Sequence, residues 1–248
     1  DNYIKYTNNL PLEFIEIGYR NPKNINNYNG EFYYTPIKTL KLFKAKSNHK
    51  ISIMIDFKNF KLNDVESLIK ECKGYVDLVR IAIHPDSLDK SQGIINGIKG
   101  YGFEVGLNIM YLSKWDIENI KNEIKKIENL DYLYLADSYG AVFPEELEKI
   151  LNEIKKVVNC SIGFHSHDNL ELAFANTLTA IKCGIDIVDS SILGMGRGAG
   201  NLKTELLLLK LIHNDKNRFQ QYDSLSSLID LFKPLKLKYN WGSDISYK

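Results

Sequence analysis

Seven short runs rich in β-branched and aromatic residues recur along the chain, and the stretches between them carry helix signals. The runs fall at residues 14–19, 51–57, 76–83, 103–111, 132–137, 161–165 and 185–192. Several are apolar at nearly every position, as strands buried on both faces are. Helix-like segments cover residues 63–72, 115–127 and 144–157, the last with Pro144 in its first turn. Strand and helix alternating at intervals of roughly 25 to 35 residues call for right-handed βαβ units and a parallel sheet.

A closed (β/α)8 barrel, or TIM barrel, needs eight strands and about 250 residues. The chain has 248 residues but seven strand runs, and residues 3–10 already read as the end of a helix leading into the first run. The expected fold is therefore α/β, a TIM barrel whose first strand lies upstream of Asp1. No linker, low-complexity tract or charge block divides the sequence, so residues 1–248 are expected to form one barrel domain. The asparagine-rich stretch 21–29 is the longest loop candidate.

The balance of 32 basic and 31 acidic residues leaves a net charge of +1, which gives no electrostatic case for nucleic acid or an anionic membrane. A small molecule is the expected partner. Cys72, Cys160 and Cys183 are odd in number and far apart, so neither a disulfide framework nor a zinc knuckle is indicated. Together with the lack of an apolar run of about 18 residues, this makes the cytoplasm the expected location.

Polar residues gather at the C-terminal ends of successive strand runs, where such barrels keep their chemistry. Arg80 and His84 flank the end of one, Asn108 and Tyr111 end the next, and Asp137 ends the one after. Glu16 falls inside the first run, either as a site residue or as the partner of a basic side chain. The segment Gly163-Phe164-His165-Ser166-His167-Asp168-Asn169 places two histidines two residues apart, so both imidazoles project from one face of a strand and can reach one metal ion. Further on, Gly194-Met195-Gly196-Arg197-Gly198-Ala199-Gly200-Asn201 reads as a glycine loop whose amides could cradle a carboxylate or phosphate. Asn201 ends it as an oxygen ligand or as a helix N-cap, and Asp168 and Asn169 suit a cap for a helix beginning near Leu170. A dinucleotide reading of the loop nominally fits, but no βαβ unit follows it.

These segments, with the helix at residues 172–184, the strand Ile187-Val188-Asp189-Ser190-Ser191, Val79-Arg80-Ile81-Ala82-Ile83-His84 and Asp137-Ser138-Tyr139-Gly140, make the chain resemble the HMG-CoA-lyase-like metal-dependent aldolases and condensing enzymes, the DRE-TIM metallolyases. Among them it is most similar to the 4-hydroxy-2-oxovalerate aldolase branch. The resemblance implies a (β/α)8 barrel holding Mn2+ or Mg2+ through a first-strand aspartate and the two histidines, here His165 and His167; beside them Asn201 is read from its place after the glycine loop as a candidate third ligand of the metal site. It implies a C–C lyase that works through a pyruvate enolate on a 2-oxo acid such as pyruvate and an aldehyde. The residues assigned are His84, Arg80 and Asp137 for catalysis, and Glu16, Asn108, Tyr111, Gly196, Arg197 and Gly198 for substrate. A homodimer is expected from the frequency of oligomers among such barrels. Two other readings stand beside it: an acyl-CoA condensing synthase of the same family, and a catalytically silent barrel acting as a binding module.

Overall fold

In the computed structural model, residues 1–23 and 29–243 are described. Most of the loop expected at 21–29 therefore lies outside the described residues. Seven strands form one parallel sheet in sequential order: β1 Phe14–Tyr19, β2 Lys50–Asp56, β3 Leu78–Ile83, β4 Glu104–Ile109, β5 Tyr132–Asp137, β6 Ser161–Ser166 and β7 Ile187–Val188. Each is followed by helical structure, as parallel pairing requires.

The strands alternate strictly. Val79, Ile81 and Ile83 of β3, Val105, Leu107 and Ile109 of β4, and Leu133 and Leu135 of β5 join the apolar layer under the surrounding helices. Their neighbours Arg80, Gly106, Asn108 and Tyr134 lie on the opposite face. The helices that complete this layer include Ile37–Lys46, Gln92–Gly100, Ile117–Ile124 and Pro144–Ile154. A second apolar cluster, built from Leu10, Ile192, Leu208, Ile212, Leu225 and Leu228, joins the first residues of the chain to the long C-terminal helix Arg218–Tyr239.

The sheet curls without closing. Among the described residues β1 pairs only with β2, and β7 pairs only with β6. Between these edges runs a cleft of about 970 Å³ that reaches inward to Glu16, Arg80, Tyr134 and His165. This is the arrangement of a barrel lacking one strand. Four strands, β1, β2, β5 and β6, agree with the sequence expectation to within a residue at each end, but β7 is two residues long where 185–192 was expected. Its pairing ends at Phe164↔Val188, and no strand on its other side prolongs it. The helix expected from Leu170 begins at Ala173, and the segment 62–72 is broken into α, π and 3-10 turns.

Candidate active site

The interior face of the sheet is where the polar residues converge. Arg80, at 4% exposure, donates from Nη1 to Oε2 of Glu16 at 3.0 Å and from Nη2 to Oδ1 of Asn108 at 3.0 Å. The same Nη2 meets Oδ2 of Asp189 at 2.5 Å. Its guanidinium lies 3.8 Å from the centre of the Tyr134 ring. That ring fits because its neighbours have no side chains: a Cβ on Gly163 would meet it at 2.3 Å and one on Gly106 at 3.1 Å. Burial raises the Tyr134 phenol well above its ordinary range. Burial also disfavours the charge on Arg80, but Asp189 and Glu16 outweigh it and hold the guanidinium protonated. Glu16 and Asn108, expected to touch substrate, thus both engage Arg80.

Next to this network stands the histidine pair. The rings of His165 and His167 lie 5.2 Å apart, centre to centre. Nδ1 of His165 is 3.0 Å from Oδ2 of Asp189. Burial, then the neighbouring His165 and Arg197, push the His167 imidazole down to about 3, so it is neutral with a lone pair to give. Burial would push the Asp189 carboxyl up; the Arg80 guanidinium and the His165 hydrogen bond prevail and hold it below the ordinary carboxylate range.

The glycine loop folds back on the end of β6. Asp168 donates its amide to the Gly200 carbonyl, and Leu202 donates to Ser166, at 2.9 and 3.0 Å, so Asn201 sits opposite His167 in an antiparallel bridge. Asn201 Nδ2 donates to the Met195 carbonyl at 3.1 Å, while its Oδ1 is buried with no hydrogen-bond partner. A Cβ on Gly196 would stand 2.8 Å from the Asn201 side chain, so only glycine leaves that amide its place. The helix after the loop begins at Thr204, which rules out Asn201 as its cap. Asp168 is not the cap of the next helix, whose N-cap is Leu172, although its Oδ1 accepts the amide of that helix's first residue, Ala173, at 3.1 Å. Amides of Gly194, Met195, Gly200 and Asn201 donate to carbonyls at Ser191, Ile192, Arg197 and Gly194, so the loop spends these on its own fold. Arg197 and Gly198 are exposed at its tip.

The remaining expected residues occupy the rim. Asp137 is fully buried, and its two oxygens accept the amides of Ala141 and Val142 at 3.1 and 3.2 Å. It shapes the turn in which Gly140, at φ +53°, packs so tightly that a Cβ would stand 2.8 Å from the His167 carbonyl. His84 accepts the Asp86 amide at Nδ1, and its ring lies 5.1 Å from that of Tyr111, which in turn lies 5.2 Å from Tyr139. No contact carries His84 to the histidine pair.

Two residues of the network escaped the sequence reading. Asp189 falls just past β7, and its partner His165 is 24 positions away. Tyr134 reads as another apolar strand residue, and only Gly106 and Gly163 on the flanking strands mark the space its ring takes.

The site has the donor set for a divalent cation on one side. His165 and His167 lie side by side, and Asn201, bridged to His167, has an amide oxygen without a partner; these are the residues that could hold such an ion. Among the described residues no group of three or more His, Cys, Asp and Glu side chains is placed to hold a metal ion.

Comparison with known proteins bears on the family and the fold. The 4-hydroxy-2-oxovalerate aldolase of Bacillus thuringiensis (strain Al Hakam) is 37% identical over 136 residues, 54% of this chain and 40% of that protein. The enzyme of that name from Pelotomaculum thermopropionicum is 38% identical over 138 residues, 55% of this chain and 41% of that protein. The matched part thus spans about two fifths of the length of these relatives. The crystal structure of the N-terminal domain of a candidate aldolase from Bacteroides vulgatus superposes on the whole chain with a TM-score of 0.92 and 41% identity, covering 83% of that chain. The carboxyl transferase domain of Rhizobium etli pyruvate carboxylase shares the fold alone, with a TM-score of 0.64 and 16% identity over 79% of this chain and 38% of that one. The HMGL-like family model matches residues 64–232, which include β3 through β7, both histidines and the glycine loop. The chain belongs to the HMGL-like family.

Proposed function

We propose that this barrel is a divalent-metal-dependent carbon–carbon lyase of the 4-hydroxy-2-oxovalerate aldolase type, acting on a small 2-oxo acid such as pyruvate and an aldehyde. The observation that carries the reading is the buried, unpartnered Oδ1 of Asn201 placed opposite His167. A buried acceptor without a donor is costly, and a cation is the partner that it would share with His165 and His167. His165, His167 and Asn201 hold the metal, Mn2+ or Mg2+, and the aspartate that the family places on the strand before β1 completes the set. The bound cation supplies Lewis-acid polarisation of the 2-oxo group.

The chain's own residues then divide the work. Arg197, whose charge is felt at both Tyr19 and His167, stands at the loop tip where it can pair with the substrate carboxylate. His84 accepts at Nδ1, so its neutral ring carries the proton on Nε2 and can give it at the rim. Tyr111 and its ring neighbours wall the side from which the aldehyde approaches. Asp137 keeps the turn against His167 in shape. Residues 1–248 act as one domain in this reading, in the cytoplasm; no helix among the described residues is long and apolar enough to cross a membrane.

The test is metal-dependent exchange of pyruvate methyl protons for deuterium, followed by NMR, on protein that retains whatever residues naturally precede Asp1. Exchange with Mn2+ that EDTA abolishes supports the reading. No exchange, with Mn2+ shown to be bound, overturns it.

A further inference from the structure

Asp189 stands at the junction of the two halves of the site, in contact with both Arg80 and His165. Its backbone is fixed first: the Asp189 amide donates to the Phe164 carbonyl at 3.1 Å, which pins it beside β6 at the residue before His165. One of its oxygens, Oδ2, is then shared between two donors, Nη2 of Arg80 at 2.5 Å and Nδ1 of His165 at 3.0 Å. Arg80 does not depend on Asp189 for its position, because Glu16, Asn108 and the face of Tyr134 hold it as well. The carboxylate is therefore braced by a guanidinium that is itself braced from β1, β4 and β5.

A carboxylate facing two donors only accepts, so the nitrogen of His165 that meets it must carry hydrogen. In a neutral imidazole the other nitrogen, Nε2, then keeps its lone pair. An unconstrained ring would divide itself between the two tautomers and rotate about its χ2 bond. Here both freedoms are removed by one contact.

We propose that Asp189 is a positioning residue that locks His165 as its Nδ1–H tautomer and aims Nε2 at the metal position, with Arg80 as its brace. Glu16 and Asn108 act through Arg80 in the same chain of contacts, so that three strands on the far side of the barrel set the direction of one ligand on β6. The inference rests on the metal-centre reading above.

Tautomer and affinity test it separately. With EDTA present at mildly alkaline pH, two-bond 1H–15N spectra of the 15N-labelled full chain, with His165 assigned by the loss of its signals in His165→Gln, are expected to show the proton on Nδ1. Asp189→Asn is expected to release that tautomer and to weaken Mn2+ binding, measured by EPR, by about 10- to 100-fold while near-ultraviolet circular dichroism stays unchanged. A proton on Nε2, or on both nitrogens, in the unaltered protein overturns the proposal, and so does an Asp189→Asn protein that binds Mn2+ as tightly as the parent. If Asp189→Asn does not fold, the tautomer of the unaltered protein still decides. Failure of the parent itself to bind Mn2+ overturns the metal-centre reading instead, and is told apart because the tautomer measurement needs no metal.

Discussion

The wall formed by β3, β4 and β5 and the seam between β7 and β1 are made from the same kind of strand and end up in opposite conditions. On the wall, β3 is buried at all six positions and pairs on both sides over nearly its whole length. At the seam, β7 is half-buried and two residues long, and β1 slips in register between Glu16 and Tyr19. Yet the carboxylates that hold Arg80, Glu16 and Asp189, come from the seam. A strand paired on both sides has its backbone spoken for, and its apolar face contributes cohesion. An edge strand contributes less cohesion and can aim charged groups inward. Stability and chemistry are thus unevenly shared around one sheet.

The largest effect is expected at the ligands. His165→Ala with His167→Ala should abolish Mn2+ retention and turnover together, read by EPR and by the exchange assay, while the far-ultraviolet spectrum is preserved; Mn2+ stoichiometry unchanged in that double variant would remove the assignment. Arg80→Met comes next, because it leaves Asp189, and Glu16 on the cleft side, without their guanidinium partner. Urea denaturation should show a loss of about 3–5 kcal/mol. The wall and the seam are compared most directly by Leu135→Ala, at 0% exposure, and Ile187→Ala, half-exposed at the edge. The first should cost about 2–5 kcal/mol and the second less than about half of that. Equal costs would erase the difference between the two regions.

Acid should weaken the seam side through His167. Its folded value of about 3 lies below the ordinary 6.5, so the unfolded chain takes up the proton first. The contribution is therefore fully present above about 6.5 and is lost as pH falls toward 3. His167→Asn should flatten that part of the stability profile, and a profile of the same slope would count against a buried neutral ring. The smallest effect is expected from Gly196→Ala, whose methyl must displace the Asn201 amide: a several-fold loss in Mn2+ affinity with little change in melting temperature.

The contrast between wall and seam also decides what could be read from sequence. Runs such as residues 78–83 and 104–109 are apolar on the face that meets helices and small or polar on the other, and they announce themselves as strands. His165 and His167 are legible because their spacing alone puts them on one face. Asn201 needed the family resemblance as well, since its alternative as a cap was ruled out only when the next helix proved to start at Thr204. The β7 boundary was overcalled because an apolar run reports burial, whereas strand length depends on a neighbour to pair with. The contact between His165 and Asp189 is a matter of strand register: the parallel pair Phe164↔Val188 makes the next residue on each strand a neighbour across 24 positions. Asp137 was legible as a polar residue at a strand end, but not its bonds to the turn that follows, where each of its oxygens accepts one backbone amide.

The antiparallel bridge between His167 and Asn201 has an implication for how this loop can vary. Neighbouring positions on a bridged segment face opposite ways. Inserting one residue between Arg197 and Asn201 would carry the amide to the wrong side and bring an apolar neighbour to the site, with every surrounding residue left intact. Substitutions at the exposed tip leave that alignment alone. The number of residues between Arg197 and Asn201 is thus held as closely as the glycine at position 196, the one by the bridge to His167 and the other by the Asn201 side chain.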